Sequence, residues 1–296
     1  MAAKLIDGKA IAAGVRAEVA EEVTSFGVEY SRAPGLATVL VGDDPASAVY
    51  VGGKQRAGAE VGIEPFDRRL PADASFEQVA GELDALNDDG AVNGILLQLP
   101  VPDHLDGPAL TNLISAVKDV DGLTPVNAGL LALGTPALVP ATPSGVMVLL
   151  RESGVELEGA EAVVVGRSNL FGKPIAQLLL AANATVTVCH SRTRDLAAVC
   201  SRADVLIAAI GRPRAIGAAH VKPGAVVIDV GINRISPEQA GNKSGIVGDV
   251  DHAAVAELAS AITPVPGGVG PMTIAMLLRN TMKAARTQAE LEEARG

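Results

Sequence analysis

Hydrophobic positions along this chain fall into two series of short apolar runs separated by helical patterns. In the first series, residues 10–30 predict a helix and 36–41 a buried strand. Residues 45–61 and 76–86 predict two more helices, and 94–99 a second strand. The second series has strands at 162–165, 185–189, 205–210 and 225–230, with helices at 172–182 and 195–200. Two further helices are expected, at 142–152 and after Pro271. Strands that alternate with helices predict parallel sheets covered by helices, an α/β fold.

The two series imply two domains. Residues 1–140 plus 271–296 are expected to form an α/β catalytic domain. Residues 141–270 are expected to form a Rossmann-like parallel-sheet domain for a cofactor, and the C-terminal helix returns to the first domain. The proline-rich stretch 135–143 is the expected first crossing between them, and the segment ITPVPGGVGPMTIAMLL (262–278) the second. That segment holds three prolines, three glycines and no charge. It reads either as a rigid interdomain turn or as a loop presenting main-chain N–H groups to a ligand.

Composition narrows the class. The chain is 48% hydrophobic but only 2% aromatic, so its core is aliphatic, as helix-on-sheet packing favours. A net charge of −10 argues against a nucleic-acid scaffold or an anionic membrane surface. Two cysteines, Cys189 and Cys200, fit a reducing compartment, and no HxxxH or CxxC spacing supports a metal. Residues 122–150 are uncharged and long enough to span a bilayer, but Pro125, Pro136, Pro140 and Pro143 interrupt them, so no membrane helix is expected. The N-terminal MAAKLIDGKAIAAGV does not read as a signal peptide, and the expectation is a cytoplasmic protein.

The chemistry begins at VVVGRSNLFGKP (163–174), a strand, turn and helix. Its pattern is G-x-S-x-x-x-G rather than G-x-G-x-x-G, but Gly166 still allows a tight turn and the helix N-terminus faces a phosphate. The next strand ends at His190, Ser191 and Arg192, with no carboxylate before Asp195. An NAD site would place a carboxylate there for the ribose; Ser191 with Arg167, Arg192 and Arg194 suits a 2′-phosphate, hence NADP. Tyr50 and Lys54 lie four apart on one helix face, either a reactive pair or a plain solvated one. The spacing occurs in short-chain dehydrogenases, but here it precedes the nucleotide loop, which argues against that family. Gln98, near a strand's carboxyl end, orients a ligand or a lysine, or merely satisfies the backbone. Asp121, in KDVDG (118–122), either binds a ligand's N–H groups or caps a turn.

Eight segments occur together in order: YVGGK (50–54), GILLQLPVP (94–102), KDVDG (118–122), PATPSG (140–145), GRSNLFGKP (166–174), DVGIN (229–233), GDV (248–250) and PVPGGVGPMT (264–273). Together they resemble the bifunctional methylenetetrahydrofolate dehydrogenase/methenyltetrahydrofolate cyclohydrolase family in its bacterial form, over nearly the whole chain. The resemblance implies oxidation of 5,10-methylenetetrahydrofolate with NADP, then hydrolysis to 10-formyltetrahydrofolate, within one-carbon metabolism and purine biosynthesis. It implies that Lys54 is catalytic, Gln98 holds it, Tyr50 stacks on the folate and Asp121 binds the pterin. Leu97, Leu99, Pro266, Gly267 and Gly268 complete the implied substrate contacts. Gly166, Arg167, Ser168 and Ile232 are implied cofactor contacts, with Ser191 and Arg192 near the 2′-phosphate. A homodimer through the cofactor domain is implied as well. Ala141 stands where the family often has Cys, and Phe171 where Val is usual. A dehydrogenase with weak or absent hydrolysis is the alternative, but the intact Tyr50, Lys54, Gln98 and Asp121 set argues against it. A silent nucleotide-binding regulator would be expected to show a damaged lysine or loop, and neither is seen. In this light the glycines at 267, 268 and 270 let the backbone approach the folate.

Overall fold

The computed structural model describes residues 3–135 and 138–294. Pro136, counted above among the interrupting prolines, lies outside them. The chain divides into two compact units, residues 13–141 with those from Ile274 onward, and residues up to Ala12 with Thr142–Thr273.

The first unit is built on a three-stranded parallel sheet in the order Glu64–Leu70, Gly35–Val41, Gly94–Leu97. Gly35–Val41 is central and buried along its whole length, which explains its unbroken apolar sequence. The helix Phe76–Asp88 covers the sheet with Val79, Leu83 and Leu86, spaced to share one face. A capping box starts it: Gln78 N donates to Ser75 Oγ at 3.3 Å, and Ser75 N to Gln78 Oε1 at 2.8 Å. The helix Pro45–Glu60 starts at Asp44, whose carboxylate accepts from Ser47 N at 2.7 Å.

Two elements here escape the apolar pattern. Glu64–Leu70 is an edge strand of sequence EPFDRRL, too charged to read as a buried strand. Pro125–Ala132 is a helix, although Pro125 had read as an interruption. The proline occupies the first turn, where no intrahelical N–H bond is lost, and Thr124 caps it by accepting from Asn127 N at 3.4 Å. The strand expected over 94–99 stops at Leu97, ahead of two prolines that cannot donate to a ladder.

The second unit holds a six-stranded sheet in the order Lys4–Leu5, Ala261–Ile262, Val226–Asp229, Val205–Ala208, Glu161–Val165, Thr185–Cys189. Every pairing in it is parallel. The opening residues, grouped above with the catalytic domain, belong to this unit instead. Lys4 N donates to Ser260 O at 2.8 Å and Ile6 N to Ile262 O at 2.9 Å. A two-residue strand leaves no periodicity to read, so these ladder bonds decide the placement. Cys189 and Cys200 are free, buried and in contact; burial raises both thiols, that of Cys200 to about 12, which leaves them unreactive. No helix among the described residues is long and apolar enough to cross a membrane, and no group of acidic, His or Cys residues among them is placed to hold a metal.

In the first unit Lys118 has a structural task. Its buried Nζ donates to the carbonyls of Leu86 at 3.1 Å, Asn87 at 2.7 Å and Asp89 at 2.8 Å, at the C-terminal end of the 76–88 helix. Burial lowers its pKa, opposed by Asp89, Asp88 and Glu292. Lys118→Met leaves those carbonyls without their donor, so urea unfolding should show a loss of about 2–4 kcal/mol. A loss below about 0.5 kcal/mol would contradict this role.

Candidate functional site

In the three-stranded unit, the 45–60 helix and the strand ending at Leu97 bring Lys54 and Gln98 together. Lys54 is buried, and its Nζ donates to Gln98 Oε1 at 3.1 Å. Gln98 is itself fixed twice: its main-chain N donates to Val39 O at 2.8 Å, and its Nε2 to Leu99 O at 2.6 Å. The second bond commits the amide nitrogen elsewhere and leaves the oxygen for the ammonium. Tyr50, one turn before Lys54 on the same helix, is 46% exposed and offers a ring to a ligand.

The two aspartates of KDVDG part company. Asp119 is buried and saturated, accepting from Thr124 N at 2.7 Å, Leu123 N at 3.1 Å and Asn127 Nδ2 at 2.9 Å. It builds the turn. Asp121 keeps part of its surface open, and its carboxyl is raised in pKa by burial, lowered in part by Lys54 and raised further by Asp119. Asp121 is therefore the carboxyl left for chemistry, coupled electrostatically to Lys54. Leu97 is buried in the apolar cluster with Val39 and Val41, and Leu99 packs against that cluster. Their side chains serve the core.

In the six-stranded unit, Gly166 ends the 161–165 strand at φ 138°, a backbone that residues with a side chain rarely adopt. A Cβ there would lie 2.3 Å from Ala209 O, and one on Gly172 would lie 2.3 Å from Gly166 O. These close approaches explain why glycines stand at both ends of the longer G-x-S-x-x-x-G loop. Ser168 Oγ accepts from Phe171 N at 3.2 Å and Gly172 N at 3.5 Å, so it ties down the turn that enters the helix Gly172–Ala181. The expected offer of that helix N-terminus to a phosphate is thus partly taken up by Ser168. The N–H groups of Arg167 and Ser168 donate to no acceptor among the described residues, and they remain for an anion.

At the end of the neighbouring 185–189 strand, Ser191 and Arg192 are exposed. Two residues to which the sequence reading gave no role shape their turn: His190 N donates to Thr193 Oγ1 at 2.8 Å, and Arg192 N to His190 Nδ1 at 3.1 Å. A hydroxyl in the turn just past a strand end, here four residues beyond Cys189, is the signal that could have marked Thr193. Ile232, 50% exposed, lies just beyond the 226–229 strand. Pro266, Gly267 and Gly268 belong to this unit too, with a cis bond before Pro266 and Gly267 at φ 110°. They fall in a different unit from Tyr50, Lys54, Gln98 and Asp121.

Comparison with known proteins covers both units. The sequence profile of the catalytic domain of tetrahydrofolate dehydrogenase/cyclohydrolase matches residues 6–121, and that of its NAD(P)-binding domain residues 140–289. Bifunctional protein FolD 2 of Frankia alni is 60% identical over 291 residues, covering 98% of this chain and 99% of the relative. The crystal structure of the bifunctional FolD dehydrogenase/cyclohydrolase of Campylobacter jejuni superposes with a TM-score of 0.92 at 45% identity, covering 97% of this chain and 100% of that one. The enzyme of Trypanosoma brucei, complexed with NADP cofactor and inhibitor, superposes at 0.92 with 40% identity, covering 98% and 99%.

A buried carboxyl beside the Ile232 loop gives a pH test. Burial pushes Asp229 from 3.8 up to about 7, although N–H groups of Val250, Asp249 and Gly231 pull it back, and the nearby Asp249 carboxyl adds to the rise. The folded chain then holds this proton more tightly than the unfolded chain. Its stabilising contribution is full below pH 3.8 and lost as pH rises through about 7. The stability of Asp229→Asn relative to the wild type, measured by urea unfolding, should therefore rise from about pH 4 to about pH 8. A constant difference across that range would contradict the assignment.

Proposed function

The chain belongs to the tetrahydrofolate dehydrogenase/cyclohydrolase family, and on that premise we propose that it oxidises 5,10-methylenetetrahydrofolate with NADP and hydrolyses the product to 10-formyltetrahydrofolate. The observation that carries this reading is the buried Lys54 held by Gln98 and coupled to Asp121. A dehydrogenase alone needs chiefly placement of two carbons; a positioned amine is what hydrolysis adds.

The six-stranded unit fits the dinucleotide on its own geometry. The Gly166 turn leaves no room for a side chain, the Arg167 and Ser168 N–H groups donate to no acceptor among the described residues, and Ser191 and Arg192 stand exposed at the adjacent strand end. Arg167, Ser168 and the turn would hold the pyrophosphate, and Ser191 with Arg192 the 2′-phosphate. When bound, NADP accepts a hydride from the methylene carbon, which leaves the methenyl cation.

Hydrolysis then needs water to add to that carbon and a carbon–nitrogen bond to break. Of the water's two protons, one ends on the departing ring nitrogen and the other is released to solvent. Lys54 Nζ carries these protons, and the Gln98 oxygen at 3.1 Å keeps it in place. Asp121 accepts the pterin N–H groups, and Tyr50 stacks on the folate. Pro266, Gly267 and Gly268 are assigned to the folate through their main chain, and Leu97 and Leu99 likewise. We also propose a homodimer through the cofactor unit, in a cytoplasmic enzyme that supplies formyl groups to purine biosynthesis. Thr185–Cys189 lies at a sheet edge with Val188 exposed, which supports that interface.

Two measurements check this reading. Absorbance of methenyltetrahydrofolate and of NADPH, followed together, should show both steps with NADP and far slower turnover with NAD; a strong preference for NAD would overturn the cofactor assignment. Arg192→Ala should raise the KM for NADP about tenfold through loss of a charge-assisted contact, and leave that for NAD unchanged. Equal effects on both would remove Arg192 from the 2′-phosphate site.

A further inference from the structure

Of two segments singled out in the sequence, DVGIN (229–233) and GDV (248–250), only Ile232 has been given a part in the chemistry so far. In the fold they interlock. Asp229 accepts from Gly231 N at 3.0 Å, Asp249 N at 2.9 Å and Val250 N at 2.9 Å. Asp229 N in turn donates to Thr263 Oγ1 at 2.8 Å. Asp249, fully buried, reaches in the other direction. Its Oδ2 accepts from Ile210 N at 2.6 Å and Gly211 N at 3.0 Å, and its Oδ1 from Arg212 N at 2.8 Å and Asn233 Nδ2 at 2.9 Å.

One carboxylate therefore ties together two loops. The 210–212 loop follows the 205–208 strand, and the 230–233 loop follows the 226–229 strand. Both lie at the carboxyl ends of parallel strands, where open α/β sheets bind their ligands. The first abuts the dinucleotide turn directly, since Ala209 O occupies the space where a Gly166 Cβ would be, at 2.3 Å. The second carries Ile232. The approach is so close that a Cβ on Gly231 would lie 2.4 Å from the Asp249 carboxyl carbon. Three successive N–H groups converging on one carboxylate is a costly arrangement to leave unmade, because each donor is otherwise desolvated without a partner.

We propose that Asp249 is a positioning residue for NADP. It sets the 210–212 and 230–233 loops against the Gly166 turn, so cofactor affinity depends on a side chain with no assigned contact to the cofactor. This rests on the NADP reading above. Hydrolysis of methenyltetrahydrofolate consumes no NADP and uses Lys54, Gln98 and Asp121, so it is independent of Asp249.

The test is made on the full chain. Asp249→Asn keeps the shape but turns an NH2 group toward one pair of donors. Titration calorimetry with NADP should show binding weakened about tenfold. The KM for NADP should rise alongside, kcat at saturating NADP should hold within about threefold, and cyclohydrolase activity on methenyltetrahydrofolate should be unchanged. Asn233→Ala, which removes a single bond to Asp249, should move NADP binding the same way by a smaller factor and serves if Asp249→Asn does not fold. NADP affinity unchanged in whichever of these variants folds, or a parallel loss of cyclohydrolase activity, would overturn the proposal. A wild-type chain that binds no NADP would instead refute the cofactor reading, so the two failures are told apart.

Discussion

The ammonium of Lys54 sits in a buried position with the Gln98 oxygen 3.1 Å away, and that pairing sets terms for the unit around it. A buried cation is tolerated only with partners close at hand. Holding Gln98 in register requires the 94–97 strand beside the central 35–41 strand, where Gln98 N meets Val39 O. Holding Lys54 requires the 45–60 helix to begin at its Asp44 cap, so that Tyr50 and Lys54 fall on one face. Asp119 folds the next turn onto itself and leaves Asp121 as the carboxyl that feels the amine. Capping, register and burial thus converge on one proton-carrying group.

The six-stranded unit follows a different logic. Its proposed ligand surface joins main chain at strand ends to Arg167, Ser191 and Arg192, and other side chains hold that main chain in shape. Ser168 ties down the entry to a helix, His190 and Thr193 shape a turn, and Asp249 gathers two loops. Among the described residues, the Arg167 and Ser168 N–H groups of the Gly166 turn donate to no acceptor. Ser168 stands where a glycine would and takes up N–H groups at the entry to the helix, so the proposed phosphate site is the turn instead.

Much of this was legible in the sequence wherever burial writes a pattern. The 35–41 and 161–165 strands and the helices beginning near residues 45, 76 and 172 are read from apolar runs and periodicity, because both faces or one stripe of each is buried. The charged edge strand Glu64–Leu70 and the two-residue strand Lys4–Leu5 are set by ladder bonds, not by side chains, and escape such reading. Pro125 misleads because the same residue that ends a helix also starts one. At the site, the residue types of Lys54, Gln98 and Asp121 were visible. The division of labour between Asp119 and Asp121, and the role of Asp249, depend on hydrogen bonds across distant segments that no spacing encodes.

The central claim is that Lys54 performs the hydrolysis while the dinucleotide is held by the other unit's own residues. Lys54→Met tests it most directly, with cyclohydrolase activity on methenyltetrahydrofolate and NADP affinity measured on the same preparation. The account predicts that hydrolysis is lost, by a factor of about 100 or more, while NADP binds as in the wild type. Hydrolysis retained at the wild-type rate would contradict it.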